Sequence, residues 1–141
     1  MKPFTFSFVG CAGALCAAAL FGCATLARAS GFDGSQDLLC APSDVAQCDA
    51  SANCERVSVS DVDLPPFLRI QFGKKRLASL ATPERVTQIE NIRKVDGLTI
   101  LQGAENGRAW SIVIDQESGR MSGSIADSDG AFAVFGACTT Q

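Results

Sequence analysis

The residues of this chain that could do chemistry are its cysteines and carboxylates: there are 7 cysteines, 15 acidic residues and no histidine. Without histidine there can be no Ser/His/Asp or Cys/His nucleophile arrangement, no histidine metal site and no ordinary pH switch near neutrality. Asp61 with Asp63, or Asp115 with Glu117, could act as an acid/base pair if a pocket enclosed them. Each pair instead falls at a strand end or loop, where carboxylates are normally solvated. Asp127-Ser128-Asp129-Gly130 opens like a calcium loop, but Ala131 and Cys138 stand where further oxygen ligands are required, so a hairpin turn is expected. Cys40, Cys48 and Cys54 include no C-x-x-C pair, which argues against zinc. No catalytic, metal or cofactor-binding residue is assigned, and no cofactor is expected.

The cysteines carry a different message. Cys11, Cys16 and Cys23 lie in an apolar N-terminal stretch, whereas Cys40, Cys48, Cys54 and Cys138 lie in the polar remainder. Residues 1–29 have the form of a secretory signal peptide: Lys2 at the start, an apolar run over residues 4–26, and Ala27-Arg28-Ala29 as a small-x-small cleavage site. Cleavage there would leave four cysteines, enough for two disulfides in an oxidising compartment. A retained membrane span is the competing reading of the same run. Leu20-Phe21-Gly22-Cys23 also resembles a bacterial lipobox, so lipidation at Cys23 stays open as an alternative.

Length and charge set further bounds. The 12 basic residues fall to 10 once Lys2 and Arg28 leave, against 15 acidic ones. An acidic mature chain of 112 residues (141 minus 29) is one modest domain and not a general nucleic-acid binder. A membrane contact is expected only if Cys23 is lipidated.

The elements that would position these groups read as strands. Residues 31–36 look like a flexible lead-in, and residues 37–54 like a cysteine-rich cap with little periodicity. Residues 56–60 and 67–72 alternate with period 2, and the second run places Leu68, Ile70 and Phe72 on one face. Gly73-Lys74-Lys75 makes a turn into a return strand over residues 76–80. The basic knot Lys74-Lys75-Arg76 at that tip reads as edge protection, or as a contact for an acidic partner.

Asn106-Gly107 is the preferred pair for a type I′ hairpin and fixes a register. Counting outward, Gly103 faces Trp110, Leu101 faces Ile112, and Thr99 faces Ile114, which leaves room for the indole across the glycine. Strands over residues 120–126 and 131–137 continue the meander, with Met121, Ile125, Phe132, Val134 and Cys138 on one face. Four cysteines allow three pairings. Cys48 with Cys54 across a small loop, leaving Cys40 for the inward-facing Cys138, is the expected one.

Residues 83–95 carry conflicting signals. Thr82-Pro83-Glu84 resembles a helix start, and Val86, Ile89, Ile92 and Val95 recur every three residues. The β-branched content of the run opposes a helix. Both readings stay open.

Leu-Gln-Gly at 101–103, Gly-Arg-Ala-Trp-Ser at 107–111, the Ser-Gly that follows and Phe-Gly-Ala-Cys at 135–138 resemble uncharacterised small secreted or periplasmic disulfide-bonded β proteins of Gram-negative bacteria. That resemblance implies an exported β domain. In architecture the chain is more distantly similar to the C-type lysozyme inhibitors, small exported β-barrels with a disulfide near their ends. Met121-Ser122-Gly123-Ser124 resembles the Ser-Gly part of their inhibitory loops. No tyrosine is present, and no inhibitory residue is carried over.

The expected organisation is a signal peptide at 1–29, a flexible lead-in and cysteine-rich cap at 30–54, and a β domain at 55–141. The expected fold is mainly β, a small antiparallel barrel or sandwich with a C-terminal meander, and a short helix near residues 83–94 left open. The expected role is an exported, non-catalytic binding or inhibitor-type module of the bacterial envelope, whose partner is an unknown protein or envelope component. Alternatives are a small apolar-ligand carrier barrel and an enzyme with a carboxylate acid/base pair. The location is periplasmic or secreted, or else that of a membrane-anchored lipoprotein. The loops around Asp127 and Lys74 are the first candidate surfaces.

Overall fold

The structure, a computed structural model, describes residues 31–141. The signal peptide expected at residues 1–29 and the alternative lipidation site Cys23 lie outside the described residues. The strands are β1 (Leu38–Asp49), β2 (Cys54–Val57), β3 (Leu68–Gln71), β4 (Arg76–Ser79) and β5 (Val86–Gln88), followed by β6 (Asn91–Val95), β7 (Leu98–Glu105), β8 (Arg108–Asp115), β9 (Arg120–Ala126) and β10 (Gly130–Thr140). They form one curled antiparallel half-barrel in the order β5-β4-β3-β1-β10-β9-β8-β7-β6, with β2 added to β1. No helix occurs among the described residues.

The C-terminal meander follows from its turns. Asn106 and Gly107 take positive φ values of 52° and 79°, as a type I′ turn demands. Glu105 therefore opposes Arg108, Gly103 opposes Trp110, Leu101 opposes Ile112, and Thr99 opposes Ile114. The inward residues of this hairpin and its neighbours (Thr99, Leu101, Ile112, Ile114, Met121, Val134 and Cys138) are buried. Alternation of apolar and polar residues across four paired strands puts one continuous apolar face inside the curl.

Residues 38–49, where the sequence shows little periodicity, form the longest strand and lie at the centre of the sheet. The register against β10 shifts between Pro42 and Asp44. This bulge inserts Ser43 and reverses the alternation, so Leu38, Cys40 and Pro42 face inward before it and Val45 faces inward after it. An extra residue in one strand turns the side chains that follow to the opposite face. The single long strand has two partners on one edge, β3 through Leu38–Cys40 and β2 through Val45–Cys48. Cys40 and Cys138 are opposed in register and disulfide-bonded, as are Cys48 and Cys54.

Residues 86–95 resolve as strands. Val86–Gln88 pairs with β4, and Asn91–Val95 pairs with β7. Between them the Ile89 N–H donates to the Lys75 carbonyl (2.8 Å) and the Glu90 N–H donates to the Gln102 carbonyl (2.9 Å). One segment thus bridges the two ends of the strand order, with Ile89 buried at the seam. A helix would satisfy its own backbone and leave the edges of β4 and β7 open. The strand conformation satisfies both edges and suits the β-branched side chains.

Residues 31–36, expected as a flexible lead-in, form turns that seat Phe32 against the core. The Thr99 hydroxyl donates to the Phe32 carbonyl (2.9 Å). A Cβ at Gly119 would come 2.6 Å from the Phe32 ring, so the glycine makes room for the aromatic plug. The Asp37 carboxylate accepts from the Phe72 N–H (3.2 Å), tying the lead-in to β3. Phe32 closes the end of the half-barrel where β7 begins.

Candidate functional site

The opposite end, where β7 runs out at Glu105, is open. A cavity of about 170 Å³ lies inside the curl there. Trp110 and Ile112 from β8, Met121 and Ile125 from β9, and Phe132 and Val134 from β10 form one wall. Leu68 and Leu77 form the facing wall, and the 62–65 segment roofs it. The size compares with a ~150 Å³ cavity lined by aliphatic and aromatic side chains that stays dry and takes up benzene.

Two glycines on the inner face help account for the space. Gly123 stands between Met121 and Ile125 and opposite Ile112, so the middle of β9 presents no side chain to the interior. Gly103 faces Trp110, and a Cβ there would come 2.5 Å from the indole Cζ2. The indole therefore lies over β7 instead of filling the interior. Phe72 packs beside Gly34 on the lead-in and does not line the cavity.

The polar groups of the mouth are paired off. Arg85 reaches from the β4–β5 connection to the Asp63 carboxylate (2.8 Å) and carbonyl (3.0 Å), fastening the roof segment. The Arg108 Nε donates to Asp127 (3.1 Å). Glu105 stands opposite Arg108 at the rim. Each cation has an acidic neighbour, so the mouth holds no unbalanced positive charge. Within the wall, Trp110 Nε1 is a buried donor with no acceptor among the described residues.

The carboxylates singled out in the sequence are dispersed. Of Asp61, Asp63, Asp115 and Glu117, only Asp63 lines the cavity, and Arg85 pairs with it. The Ser118 hydroxyl and N–H both donate to Asp115 at 2.7 Å and hold its pKa below the ordinary 3.8. Asp127 is likewise lowered, first by the Asp129 N–H and also by Arg108. Its Oδ1 accepts from Asp129 and Gly130 while Oδ2 meets Arg108, so both oxygens serve the turn. No group of three or more metal-ligating side chains occurs among the described residues. Lys74 and Lys75 are exposed at the β3–β4 tip, away from the cavity lining.

Met121-Ser122-Gly123-Ser124 lies inside β9, paired on both sides by β8 and β10. It is a central strand and not a projecting loop. The residues that sequence reasoning missed as a site are Arg85, Leu64 and Pro65, which come from irregular segments. The usable signal was Gly123, a glycine at an inward position of a strand, which often marks close approach by another group. No family model, curated protein or solved structure matches the chain.

Proposed function

We propose that this protein is an exported, non-catalytic binding domain of the bacterial envelope that takes a small apolar ligand into the open end of its half-barrel. The observation that carries this reading is the apolar cavity of about 170 Å³ beside Trp110. Small-molecule sites are concave, mostly apolar and equipped with few polar groups, and the mouths of barrels are favoured places for them. The two disulfides are consistent with an oxidising, extracytoplasmic location. The signal-like residues 1–29 support periplasmic or secreted delivery, with anchorage at Cys23 as the alternative. The intact mass of the native protein separates the two, because acyl chains on Cys23 add to a chain that begins at that residue.

The test of the binding reading is a crystal of the native protein under xenon pressure. Electron density for xenon between Trp110, Met121 and Val134 supports it. A cavity that collapses around its own side chains and admits no xenon overturns it.

A further inference from the structure

Strand β6 leaves a backbone edge open. Asp96 and Gly97 take φ values of 49° and 77°, so they form a type I′ turn in which the Val95 carbonyl accepts from the Leu98 N–H. Hydrogen-bonded rungs alternate in an antiparallel pair, which puts Arg93–Ile100 and Asn91–Gln102 in the bonded set. The N–H and C=O groups of Ile92 and Lys94 therefore point away from β7. They meet no backbone partner among the described residues, because the β3–β4 hairpin stops at Lys75, whose carbonyl takes the Ile89 N–H, and the lead-in makes no backbone hydrogen bond to β6.

Positive charge gathers around this edge. Lys74, Lys75, Arg76, Arg93 and Lys94 make up half of the basic residues of the described chain, yet the ion pairs among the described residues use Arg56, Arg85 and Arg108. Arg76 Nε donates to the neutral Gln71 amide oxygen. Asp33 lies near Lys94 without an ion pair to it, and Glu90 and Asp96 stand just beyond the two ends of β6. From the open edge and these cations, we infer that β6 takes an extended segment of a partner protein, alternating acidic and apolar residues, as an added strand. Its carboxylates lie on the outer face beside Arg93, and its apolar side chains lie on the inner face with Ile92, which packs against the core. A second copy of the chain does not fit, because β6 paired with itself sets Arg93 and Lys94 against their own equivalents. The exposed β2 edge differs, since its cation Arg56 is already paired with Asp44. The β6 surface lies apart from the cavity lining.

The test is a ¹H–¹⁵N titration of the native, oxidised protein with capped peptides of about eight residues. The probes are an alternating Glu-Val peptide, its Lys-Val counterpart, and the Glu-Val peptide N-methylated at alternate residues to remove the donors on one edge. Glu-Val should bind saturably, moving the Ile92 and Lys94 amide protons downfield and slowing their exchange with solvent. The N-methylated peptide should bind about tenfold more weakly, and Lys-Val should not bind. Exchanging both edge cations, Arg93→Glu with Lys94→Glu, should weaken Glu-Val by about tenfold or more and admit Lys-Val. The amide shifts are read on the unmutated protein, so they stand even if the variant does not fold. Equal binding of the N-methylated peptide overturns the added strand and leaves only charge attraction. Binding to phosphatidylglycerol vesicles without binding to Glu-Val assigns the cations to a membrane surface and overturns the peptide site, as does failure of Glu-Val to bind.

Discussion

Gly103 lies directly across the β7–β8 ladder from Trp110, and a Cβ at position 103 would stand 2.5 Å from the indole Cζ2 and 2.6 Å from the Gln88 carbonyl oxygen. The glycine therefore does two things: it lets the indole lie over β7, and it lets the β5–β6 seam come close. Gly103→Ala must push one of them away, and the Gln88 oxygen is backbone. A loss of about 1–3 kcal/mol is expected, read as a lower urea midpoint. Unchanged stability would show that neither contact is tight.

Gly123 differs, since a Cβ there would meet the Ser111 carbonyl oxygen at 3.0 Å and Ile112 Cγ1 at 3.6 Å. Gly123→Ala should stay within about 1 kcal/mol of the parent, the reduced freedom of the unfolded chain offsetting the tight contact. It should also weaken uptake of apolar probes by trimming the cavity. An urea titration and a probe titration on the same sample check both parts.

The disulfides should differ in weight. Cys40 and Cys138 are separated by 98 positions and Cys48 and Cys54 by 6. In the chain-entropy treatment, replacing the long bridge by alanines costs about 4–5 kcal/mol and replacing the short one about 2. Thermal denaturation of the two double variants measures the difference. Equal losses would mean that native packing, and not loop closure, governs both.

The meander was legible because Asn106-Gly107 fixes a register and alternation carries it outward to Cys138. The centre of the sheet was not, because the bulge at Ser43 breaks the period in β1 and makes its two halves look unrelated. Residues 83–95 stayed undecided for another reason. Their three-residue spacing and Thr82-Pro83-Glu84 start are local signals, whereas the strand they form is dictated by two distant edges, Lys75 on one side and Gln102 on the other. The cavity was only half legible. Trp110 and Gly103 were placed together by register, but the walls from β3 and β4 and the Asp63–Arg85 roof depend on how the sheet curls.

Acid should weaken the fold where neutral pH does not. Asp115 is held below its ordinary pKa by Ser118, and Asp127 chiefly by the Asp129 N–H. A carboxylate depressed in the folded state contributes stability that is present above its unfolded pKa and is lost as pH falls through the folded value. With no histidine in the chain, stability should be flat from about pH 5 to 8 and fall below about pH 4. Asp115→Asn should flatten that acid decline, as read from urea midpoints across pH. A transition near pH 6.5 would contradict the assignment.

The Arg85–Asp63 pair is exposed on both sides, so it should add little to global stability. Its effect should be local. Arg85→Ala is expected to speed amide exchange in residues 58–64 while leaving the thermal midpoint nearly unchanged. Exchange that stays slow would show that the roof segment is held by its apolar contacts through Val62 and Leu64.

The most direct test of the cavity as a ligand site is a benzene titration of the native protein followed by its methyl NMR signals. Saturable shifts are predicted for the Ile112, Met121 and Val134 methyls that line the cavity, with the Leu38 and Ile70 methyls of the buried core outside its lining unmoved. Shifts that grow linearly without saturation, or that spread evenly through the core, would contradict the account.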